Sequence, residues 1–390
     1  MMPPVAVARC GTYDPHAVGE AVEQVVSRLG GMDRFVRPGD RVLIKPNLLS
    51  PAAPERAITT HPTVVEAVIR LVQRAGGEAV IADSAPASVP FTPAGLAHLY
   101  QATGMAEVAA RTGARLNFDT GVADLAAPPG CTVRRFEVMR VVREVQCVIS
   151  LPKLKTHSLT VLTGATKNCF GLIPGVRKMT FHLTRGRLED FADVLLDLET
   201  AVAPVLVLMD AIVGMDGEGP SAGSPFPIGL VLGSTSGVEL DAVAARVVGI
   251  PPLEVPTLRR GMERGLWSGR VEGIELLGHT LEEVMVSGFR RPAGGPPLVD
   301  RLVPFGLGPR LRRVLLRHTS RQPVVDSQRC TGCGSCQAVC PAHAIEEVGG
   351  HARINSPTCI RCYCCHEACP EAAISLVSPL VLRLLLRLRH

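Results

Sequence analysis

Two cysteine runs near the C-terminal end constrain this chain more than any other feature of its sequence. Residues 330–341 read CTGCGSCQAVCP and residues 359–370 read CIRCYCCHEACP, so both follow the spacing C-x2-C-x2-C-x3-C-P. Matching positions lie 29 residues apart, and an Ala-Ile pair follows each run, at 344 and at 373. Nine of the 13 cysteines fall within this duplicated segment. A duplicated unit with this density of thiols predicts a metal-binding domain.

The two runs resemble, along their whole length, the bacterial ferredoxin with two 4Fe-4S clusters. In that family three thiolates of each run bind one cluster and the fourth cysteine binds the other. The resemblance implies a first cluster held by Cys330, Cys333, Cys336 and Cys369, and a second held by Cys359, Cys362, Cys365 and Cys340. A pair of zinc sites is the alternative, because C-x2-C pairs also suit tetrahedral zinc. The third cysteine at fixed spacing, the proline after the fourth and the duplication favour two 4Fe-4S clusters as the cofactors.

The remaining composition describes a globular protein of ordinary charge. Hydrophobic residues make up 46% of the chain and charged residues 20%, which is not the composition of a disordered chain. The net charge of +5 is mild and gives no indication of a nucleic-acid partner. The sequence shows neither a signal peptide nor a run of about 18 apolar residues, so the expected location is the cytoplasm. In that reducing compartment no disulfide is expected among the five other cysteines, which are Cys10, Cys131, Cys147, Cys169 and Cys364.

Residues 1 to about 300 alternate short apolar segments with helical patterns, which predicts an α/β domain layered around a mostly parallel sheet. A helix is predicted after Thr60, because Pro62 suits the first helical position, apolar residues from Val64 to Val72 form one stripe, and Gly76 ends it. A second helix is predicted at about 237–248. The predicted strands are 41–46, 78–84, 144–152, 204–211 and 227–234. The expected fold class is this α/β domain followed by a small α+β two-cluster ferredoxin-like domain.

Lysine is concentrated in one segment of this arginine-rich chain. Only five of the 41 basic residues are lysine, and four of these lie between residues 153 and 178. An ammonium group is a compact charge whose pKa shifts readily on burial, whereas a guanidinium group is a wide planar fork that stays charged. Lysines retained here indicate a task that arginine cannot perform, and an ordinary solvated surface is the alternative. The five are Lys45, Lys153, Lys155, Lys167 and Lys178.

Several polar side chains follow the predicted strands, at the edge where open α/β sheets bind their ligands. Lys45 follows one strand, Lys153 and Lys155 follow another, and Asp210 closes a third. In an extended segment Lys153, Lys155 and His157 would also face the same side. The sequence therefore predicts one crevice whose cations bind a small anionic substrate.

Candidate roles in this crevice follow from side-chain chemistry. His157 and His61 could relay protons, and Asp210 or Asp241 could orient them. The segment TGATKNCFG supplies donors between glycines, and Glu218 lies in the glycine-rich loop 210–225. The candidate catalytic residues are His157, Lys155, Lys167 and Asp210. The candidate substrate-binding residues are Lys45, Asn47, His61, Lys153, Thr163, Asn168, Glu218 and Asp241.

Six motifs of the large domain resemble a known family. In order they are IKPNLLS, TTHPTVVEAV, IADSAP, SLPKLKTHSLTVLTGATKNCFGLIPG, DAIVGMDGEGP and LDAVAARVVGI, and they span about residues 40–250. Together they resemble the domain of unknown function 362 family, whose members often carry a ferredoxin module. The resemblance supports the architecture and implies no settled reaction.

The sequence divides into four predicted regions. An α/β domain at 1–300 is followed by a basic linker at 301–325, the ferredoxin-like domain at 326–378 and a basic amphipathic tail at 379–390. The tail, PLVLRLLLRLRH, is too short to span a bilayer, and it could either lie on an anionic membrane surface or pack against the protein's own core.

The sequence supports three hypotheses about function. The first is an iron-sulfur-dependent reductase that passes single electrons through the clusters to an anionic substrate. The second is an electron-transfer adaptor whose large domain docks a partner enzyme, so that an electron-donor or acceptor protein is an expected partner. The third is a non-redox enzyme whose clusters are structural.

Overall fold

The computed structural model describes residues 2–84, 89–175, 177–184, 187–292 and 319–379. It confirms the predicted fold class, with one large, mostly parallel sheet covered by helices and a small cysteine-rich module at the C-terminal end. The strands are β1 (Val5–Arg9), β2 (Arg41–Pro46), β3 (Glu78–Ile81), β4 (Arg115–Leu116), β5 (Val122–Ala126), β6 (Arg135–Met139), β7 (Cys147–Leu151), β8 (Lys153–His157), β9 (Val161–Thr163), β10 (Leu206–Asp216), β11 (Ser224–Ser234), β12 (Leu276–Leu277), β13 (Gln322–Val325), β14 (Ile345–Val348), β15 (His351–Ile354) and β16 (Ile374–Val377). The helices are α1 (Pro15–Arg28), α2 (Pro62–Arg74), α3 (Pro93–Ala102), α4 (Met105–Thr112), α5 (Ala165–Asn168), α6 (Arg177–Thr184), α7 (Leu188–Val202), α8 (Gly237–Val247), α9 (Pro256–Glu263), α10 (Leu281–Val284), α11 (Ser335–Ala338) and α12 (Cys364–Ala368).

The large sheet brings the ends of several parallel strands to one edge. Its strand order is β12-β1-β11-β10-β7-β2-β3-β4, and β8, which also pairs with β9, adds to β10. β2 pairs in parallel with both β3 and β7, and β7 pairs in parallel with β10. β11 is antiparallel to both of its neighbours. The carboxyl ends of β2, β3 and β7 therefore lie side by side, which is the edge where the sequence predicted a crevice.

Helices cover both faces of this sheet. Along β1, Ala6 packs in the hydrophobic cluster that contains the buried side of α1 and α2, whereas Val7 packs in the cluster that contains α8. Successive residues of a strand point to opposite faces, so the sheet is the middle of three layers.

Helix α2 illustrates how the sequence builds this arrangement. His61 is its N-cap and accepts a hydrogen bond from the Thr63 N–H at 3.3 Å, and Pro62 takes the first helical position. Gly76 follows the helix with φ of +82°, a conformation that glycine adopts without steric cost. The buried stripe consists of Val64, Val65, Val68, Ile69, Leu71 and Val72. Each of these side chains contributes about 1.5–3 kcal/mol on burial, which fixes the helix against the sheet.

The glycine-rich segment at 210–225 is more regular than the sequence predicted. β10 continues through Asp216 and β11 begins at Ser224, with Met215 paired to Pro225 across an antiparallel hairpin. The turn is thus confined to the residues between these two strands. Pairing with a buried neighbouring strand compensates for the weak strand propensity of the glycines and prolines in this segment.

The C-terminal module is built from two short antiparallel pairs, β13 with β16 and β14 with β15, together with α11 and α12. Because β13 starts at Gln322, the module includes the last residues of the segment that was predicted as linker. Most of the predicted linker (301–325) and all of the predicted tail (379–390) after Pro379 lie outside the described residues. Among the described helices, none has the length and apolar character required to cross a bilayer.

Candidate functional site

The cysteines of the C-terminal module surround two small cavities. The first is lined by Cys330, Cys333, Cys336 and Cys369. The second is lined by Cys340, Cys359, Cys362 and Cys365, with Cys364 beside them. Each run thus contributes three thiols to one cavity and its fourth thiol to the other, which is the crossed arrangement that the ferredoxin resemblance implies.

The local geometry of these thiols fits an iron-sulfur cluster. The Ala344 N–H donates to Cys340 Sγ at 3.2 Å, and the Ala373 N–H donates to Cys369 Sγ at the same distance in the second run. Such hydrogen bonds to ligand sulfur are typical of these sites and influence their reduction potential. Within the described ranges, no group of three or more His, Cys, Asp or Glu side chains converges closely enough to hold a single metal ion.

A larger cavity of about 360 Å³ lies between the α/β domain and the C-terminal module. Residues that follow β2 and β3, residues of β8 and β9, and the helices α5 and α6 form one side of it. Residues at and next to α11 and α12 form the other side. Cys369 lines this cavity as well as the first cysteine cavity, and Cys364 lines it as well as the second. Both cysteine cavities therefore border the larger one.

Two lysines at this cavity form no ion pair within the described part of the chain. Lys155 is 0% exposed, and its ammonium donates to the Ile58 carbonyl at 2.6 Å. Lys167 is half-buried, and among the described residues neither lysine forms an ion pair. Burial, reinforced by the charges of Lys167 and Lys153, holds the pKa of Lys155 well below its usual range. This side of the cavity thus carries two lysines that form no ion pair with any described residue, and Glu367 and Asp83 act on Lys155 only at longer range.

The pairing of β8 with β10 explains why Lys155 differs from Lys153. Lys153 lies opposite Asp210, and its ammonium donates to Asp210 Oδ2 at 2.8 Å and to the Tyr13 hydroxyl at 2.6 Å. The register then shifts, so that Lys155 lies opposite Met215 and has no acid as its partner on β10. The same strand thus carries one compensated lysine and one lysine available to a ligand.

His157 and Glu367 join the two modules at the cavity wall. His157 Nδ1 accepts from the backbone N–H of Leu159 at 3.0 Å and of Thr160 at 3.3 Å, so the neutral ring carries its proton on Nε2. That nitrogen lies 3.1 Å from Glu367 Oε1, and the Glu367 carbonyl accepts from the Ser221 hydroxyl at 2.8 Å. Burial lowers the pKa of His157. Burial alone would raise the pKa of Glu367, but His157 and Lys167 outweigh it and hold this pKa well below its usual range.

The floor of the cavity is a network around Asn168. Its amide nitrogen donates to the Lys45 carbonyl at 3.1 Å and to the Ser150 hydroxyl at 2.9 Å. The Lys45 ammonium in turn lies 3.1 Å from Asp83 Oδ1. Gly171 permits this close packing, because a Cβ at this position would overlap the Asp83 carboxylate and lie 2.7 Å from Lys45 Nζ.

The structure brings half of the predicted site residues to this cavity. Those that line it are Asn47, Lys155, His157, Thr163, Lys167 and Asn168. Those that do not are Lys45, His61, Lys153, Asp210, Glu218 and Asp241.

Internal contacts account for most of the residues that lie away from the cavity. The His61 ring stacks on Tyr13 with centroids 3.6 Å apart, and the backbone N–H of His61 donates to Asp210 Oδ2 at 2.9 Å. Asp241 accepts from the backbone N–H groups of Ala165 at 2.6 Å and Thr166 at 3.0 Å at the start of α5, and burial raises its pKa to about 6. These groups support the strands and the short helix that carry the cavity residues.

Several lining residues were not among the predicted site residues. Lys178 and His182 come from α6, and burial lowers their pKa values to about 8 and about 4. Arg56 ends the short 3₁₀ helix Pro54–Arg56, Ser221 lies in the turn between β10 and β11, and Glu367 comes from the C-terminal module. Lys178 shared the lysine signal of its segment. The others had no sequence signal, because their position depends on how separate elements pack together.

Comparison with known proteins agrees with both modules. Residues 42–246 match the model of the family described as domain of unknown function (DUF362), and residues 322–370 match a 4Fe-4S dicluster domain. The thylakoid-associated protein sll1697 of Synechocystis sp. is 32% identical over 322 residues, which cover 82% of this chain and 95% of that protein.

Two solved structures align with part of this chain at low identity. A lactate racemase apoprotein from Thermoanaerobacterium thermosaccharolyticum is 12% identical, with a TM-score of 0.39 over 64% of this chain and 58% of that chain. A protein from Thermotoga maritima is also 12% identical, with a TM-score of 0.36 over 59% of this chain and 57% of that chain. The family match spans more than half of the chain, and the Synechocystis relative matches nearly end to end. This chain is therefore an iron-sulfur protein that belongs to the DUF362 family and carries a 4Fe-4S ferredoxin-type domain at its C-terminal end.

Proposed function

We propose that this protein is an oxidoreductase that delivers single electrons to a small anionic substrate held in the cavity between its two modules. The observation that carries this proposal is the position of Cys369, which lines both the first cysteine cavity and the larger cavity opposite Lys155 and Lys167. A bound 4Fe-4S cluster supplies one electron at a time, often at low potential. A substrate in the larger cavity would therefore lie between the electron source and the uncompensated lysines.

The proposal includes two clusters with crossed ligands. The first is held by Cys330, Cys333, Cys336 and Cys369, and the second by Cys359, Cys362, Cys365 and Cys340. The two cysteine cavities support this assignment, because each contains the four thiols of one set. Cys333 is the exposed ligand of the first set, and an electron-donor protein would approach there.

The lysines bind the substrate and stabilise the negative charge that it gains with each electron. Fixed cations in a site that excludes water stabilise such a charge better than water does. Thr163 supports this role, because its buried hydroxyl oxygen has no hydrogen-bond partner among the described residues and lines the same cavity. His157 holds a proton on Nε2, oriented by Glu367, at the wall of the cavity. In this proposal the pair of His157 and Glu367 relays a proton towards the reduced substrate, because the neutral imidazole cannot give up its only N–H without receiving another proton.

The cytoplasm remains the proposed location. The relative from Synechocystis sp. is named for its association with thylakoids, so contact with a membrane surface is part of the proposal. Such contact would involve the predicted tail at 379–390, most of which lies outside the described residues.

The test is reoxidation of the reduced protein by its own ligand. Anaerobically purified protein is reduced, and the small-molecule fraction released from a second, denatured sample is added while the cluster absorbance is followed. For the parent protein we expect the added fraction to reoxidise the clusters stoichiometrically. For Lys167→Gln we expect the rate of reoxidation to be at least about tenfold lower, with unchanged iron content. Arg177→Gln is the matched control, because it removes one positive charge from a side chain that does not line the cavity. If reoxidation required a partner protein and its rate did not change in Lys167→Gln, the electron-transfer adaptor hypothesis would replace the reductase hypothesis.

A further inference from the structure

The cavity between the modules has an excess of positive charge that its own acids do not balance. Its two lining carboxylates are already engaged: Asp83 pairs with Lys45 and accepts the Leu48 N–H at 2.7 Å, and Glu367 pairs with His157. Lys155 and Lys167 line the same cavity without an acidic partner among the described residues. Lys155 and Lys167 thus face a space in which both carboxylates of the described lining already have a partner.

Buried polar atoms in the wall also lack partners. Thr163 is 4% exposed, and its hydroxyl oxygen has no hydrogen-bond partner in the described part of the chain. Among the described residues the amine nitrogen of Lys155 makes one hydrogen bond, to the Ile58 carbonyl, and it has further N–H groups to donate. Leaving such a group unsatisfied costs about 1–3 kcal/mol, and more when it is charged. These groups are therefore poised for hydrogen bonds to a ligand.

We infer that the ligand of this cavity is a small dianion, either a dicarboxylate or a phosphate monoester, that places negative charge against both Lys155 and Lys167 and enters together with a proton. The inference deepens the proposed function and rests on it where it names the ligand as the substrate. The size of the cavity, about 360 Å³, agrees with a small molecule, because ligand cavities typically measure about 300–1,000 Å³.

Coupling to a proton follows from the surroundings of Lys155. The charged and titratable groups that face it are Lys153 and His157 on its own strand, Lys167 on α5, Glu367 on α12, and Asp83 after β3. Burial and the two lysines favour the neutral amine in the empty cavity, and the two carboxylates only partly oppose them. An anion beside the ammonium raises the pKa of Lys155 again. Binding therefore takes up a proton, and affinity falls as pH rises between the pKa values of the empty and the occupied states.

Calorimetry on the full-length, cluster-loaded and oxidised protein tests this inference. The probes are malonate, succinate and inorganic phosphate, with propionate as the singly charged comparison, each measured in two buffers of different ionisation enthalpy. We expect at least one dianion to bind at least about tenfold more tightly than propionate, with uptake of up to one proton. Tighter binding of malonate or succinate would indicate a dicarboxylate ligand, and tighter binding of inorganic phosphate would indicate a phosphate monoester.

Matched variants assign the effect to the two lysines. Lys155→Gln should weaken dianion binding at least about tenfold and abolish proton uptake. Lys167→Gln should lower the preference for dianions while proton uptake persists, and it provides a second variant if Lys155→Gln fails to fold. Arg177→Gln should change neither quantity. Binding of no dianion, equal affinities for dianions and propionate, or proton uptake that persists in folded Lys155→Gln would overturn the inference.

Failure of this inference differs from failure of the proposed function. The calorimetry uses oxidised protein and requires no electron transfer. A dianion that binds but never reoxidises the clusters would overturn only the proposed function. Reoxidation by the protein's own ligand, with dianions and propionate bound equally, would overturn only the inference.

Discussion

Replacing Lys155 by methionine tests whether this lysine is retained for a ligand rather than for stability. Lys155 is 0% exposed, and among the described residues its amine nitrogen has one hydrogen-bond partner, the Ile58 carbonyl at 2.6 Å. Losing that hydrogen bond costs about 1.5–3 kcal/mol, whereas keeping an uncompensated ammonium out of water costs several kcal/mol. The second effect is larger. We therefore expect Lys155→Met to raise the free energy of unfolding of the ligand-free protein by about 1–2 kcal/mol at neutral pH while abolishing anion binding.

The pH dependence of this gain gives the sharper test. Burial lowers the pKa of Lys155 in the folded state, so the unfolded chain binds the extra proton between that lowered value and the ordinary lysine pKa of about 10.4. The free energy of unfolding of the parent protein rises with pH across this interval. The difference in free energy of unfolding between Lys155→Met and the parent therefore becomes smaller. Anaerobic calorimetric melting from pH 7 to pH 10, at equal iron content, measures the difference. A methionine variant that is less stable than the parent at pH 7, by a margin that does not change up to pH 10, would refute this reasoning.

Three other changes have expected outcomes of different kinds. Lys167→Arg should weaken anion binding at least about tenfold, or about 1.4 kcal/mol, because the guanidinium is wider, whereas Arg177→Lys should leave calorimetric affinity unchanged. Cys340→Ser should remove the spectroscopic signal of the cluster bound mainly by the second cysteine run, and loss of the other cluster alone would contradict the crossed ligands. Gly171→Ala should lower the free energy of unfolding by about 3–5 kcal/mol, because its Cβ would separate the buried carboxylate of Asp83 from its lysine. Denaturant titration measures this loss, and a value below about 1 kcal/mol would show that the pair can shift.

Five strands of the large sheet, namely β2, β3, β7, β10 and β11, could be predicted because buried strands are short, continuous apolar runs. The predicted segments 41–46 and 144–152 correspond to β2 and β7, and the helix after Thr60 has the predicted first residue. The hairpin of β10 and β11 was predicted too short. Glycine and proline mark a turn in a local pattern, but pairing with a buried neighbour extends both strands past them.

Only the part of the site that lies at one edge of the large sheet could be predicted from the sequence. Ligands of open α/β sheets bind beyond the carboxyl ends of the strands, which places Lys153 and Lys155 in one region. This rule cannot show that a register shift leaves Lys153 opposite Asp210 and Lys155 opposite Met215. Glu367 reaches the cavity because two modules dock, and His182 reaches it because α6 lies across it. Such contacts join residues far apart in sequence, so no local periodicity encodes them.

The most direct test of the account is the distance between a bound anion and the first cluster. Electron–nuclear double resonance on the reduced, cluster-loaded protein with inorganic phosphate or ¹³C-labelled succinate would detect magnetic coupling between the ligand nucleus and the cluster. Because Cys369 lines both cavities, we predict a resolved coupling that is lost in Lys155→Gln and retained in Arg177→Gln. Saturating anion with both clusters present and no coupling would contradict the claim that the substrate lies between the cluster and the lysines.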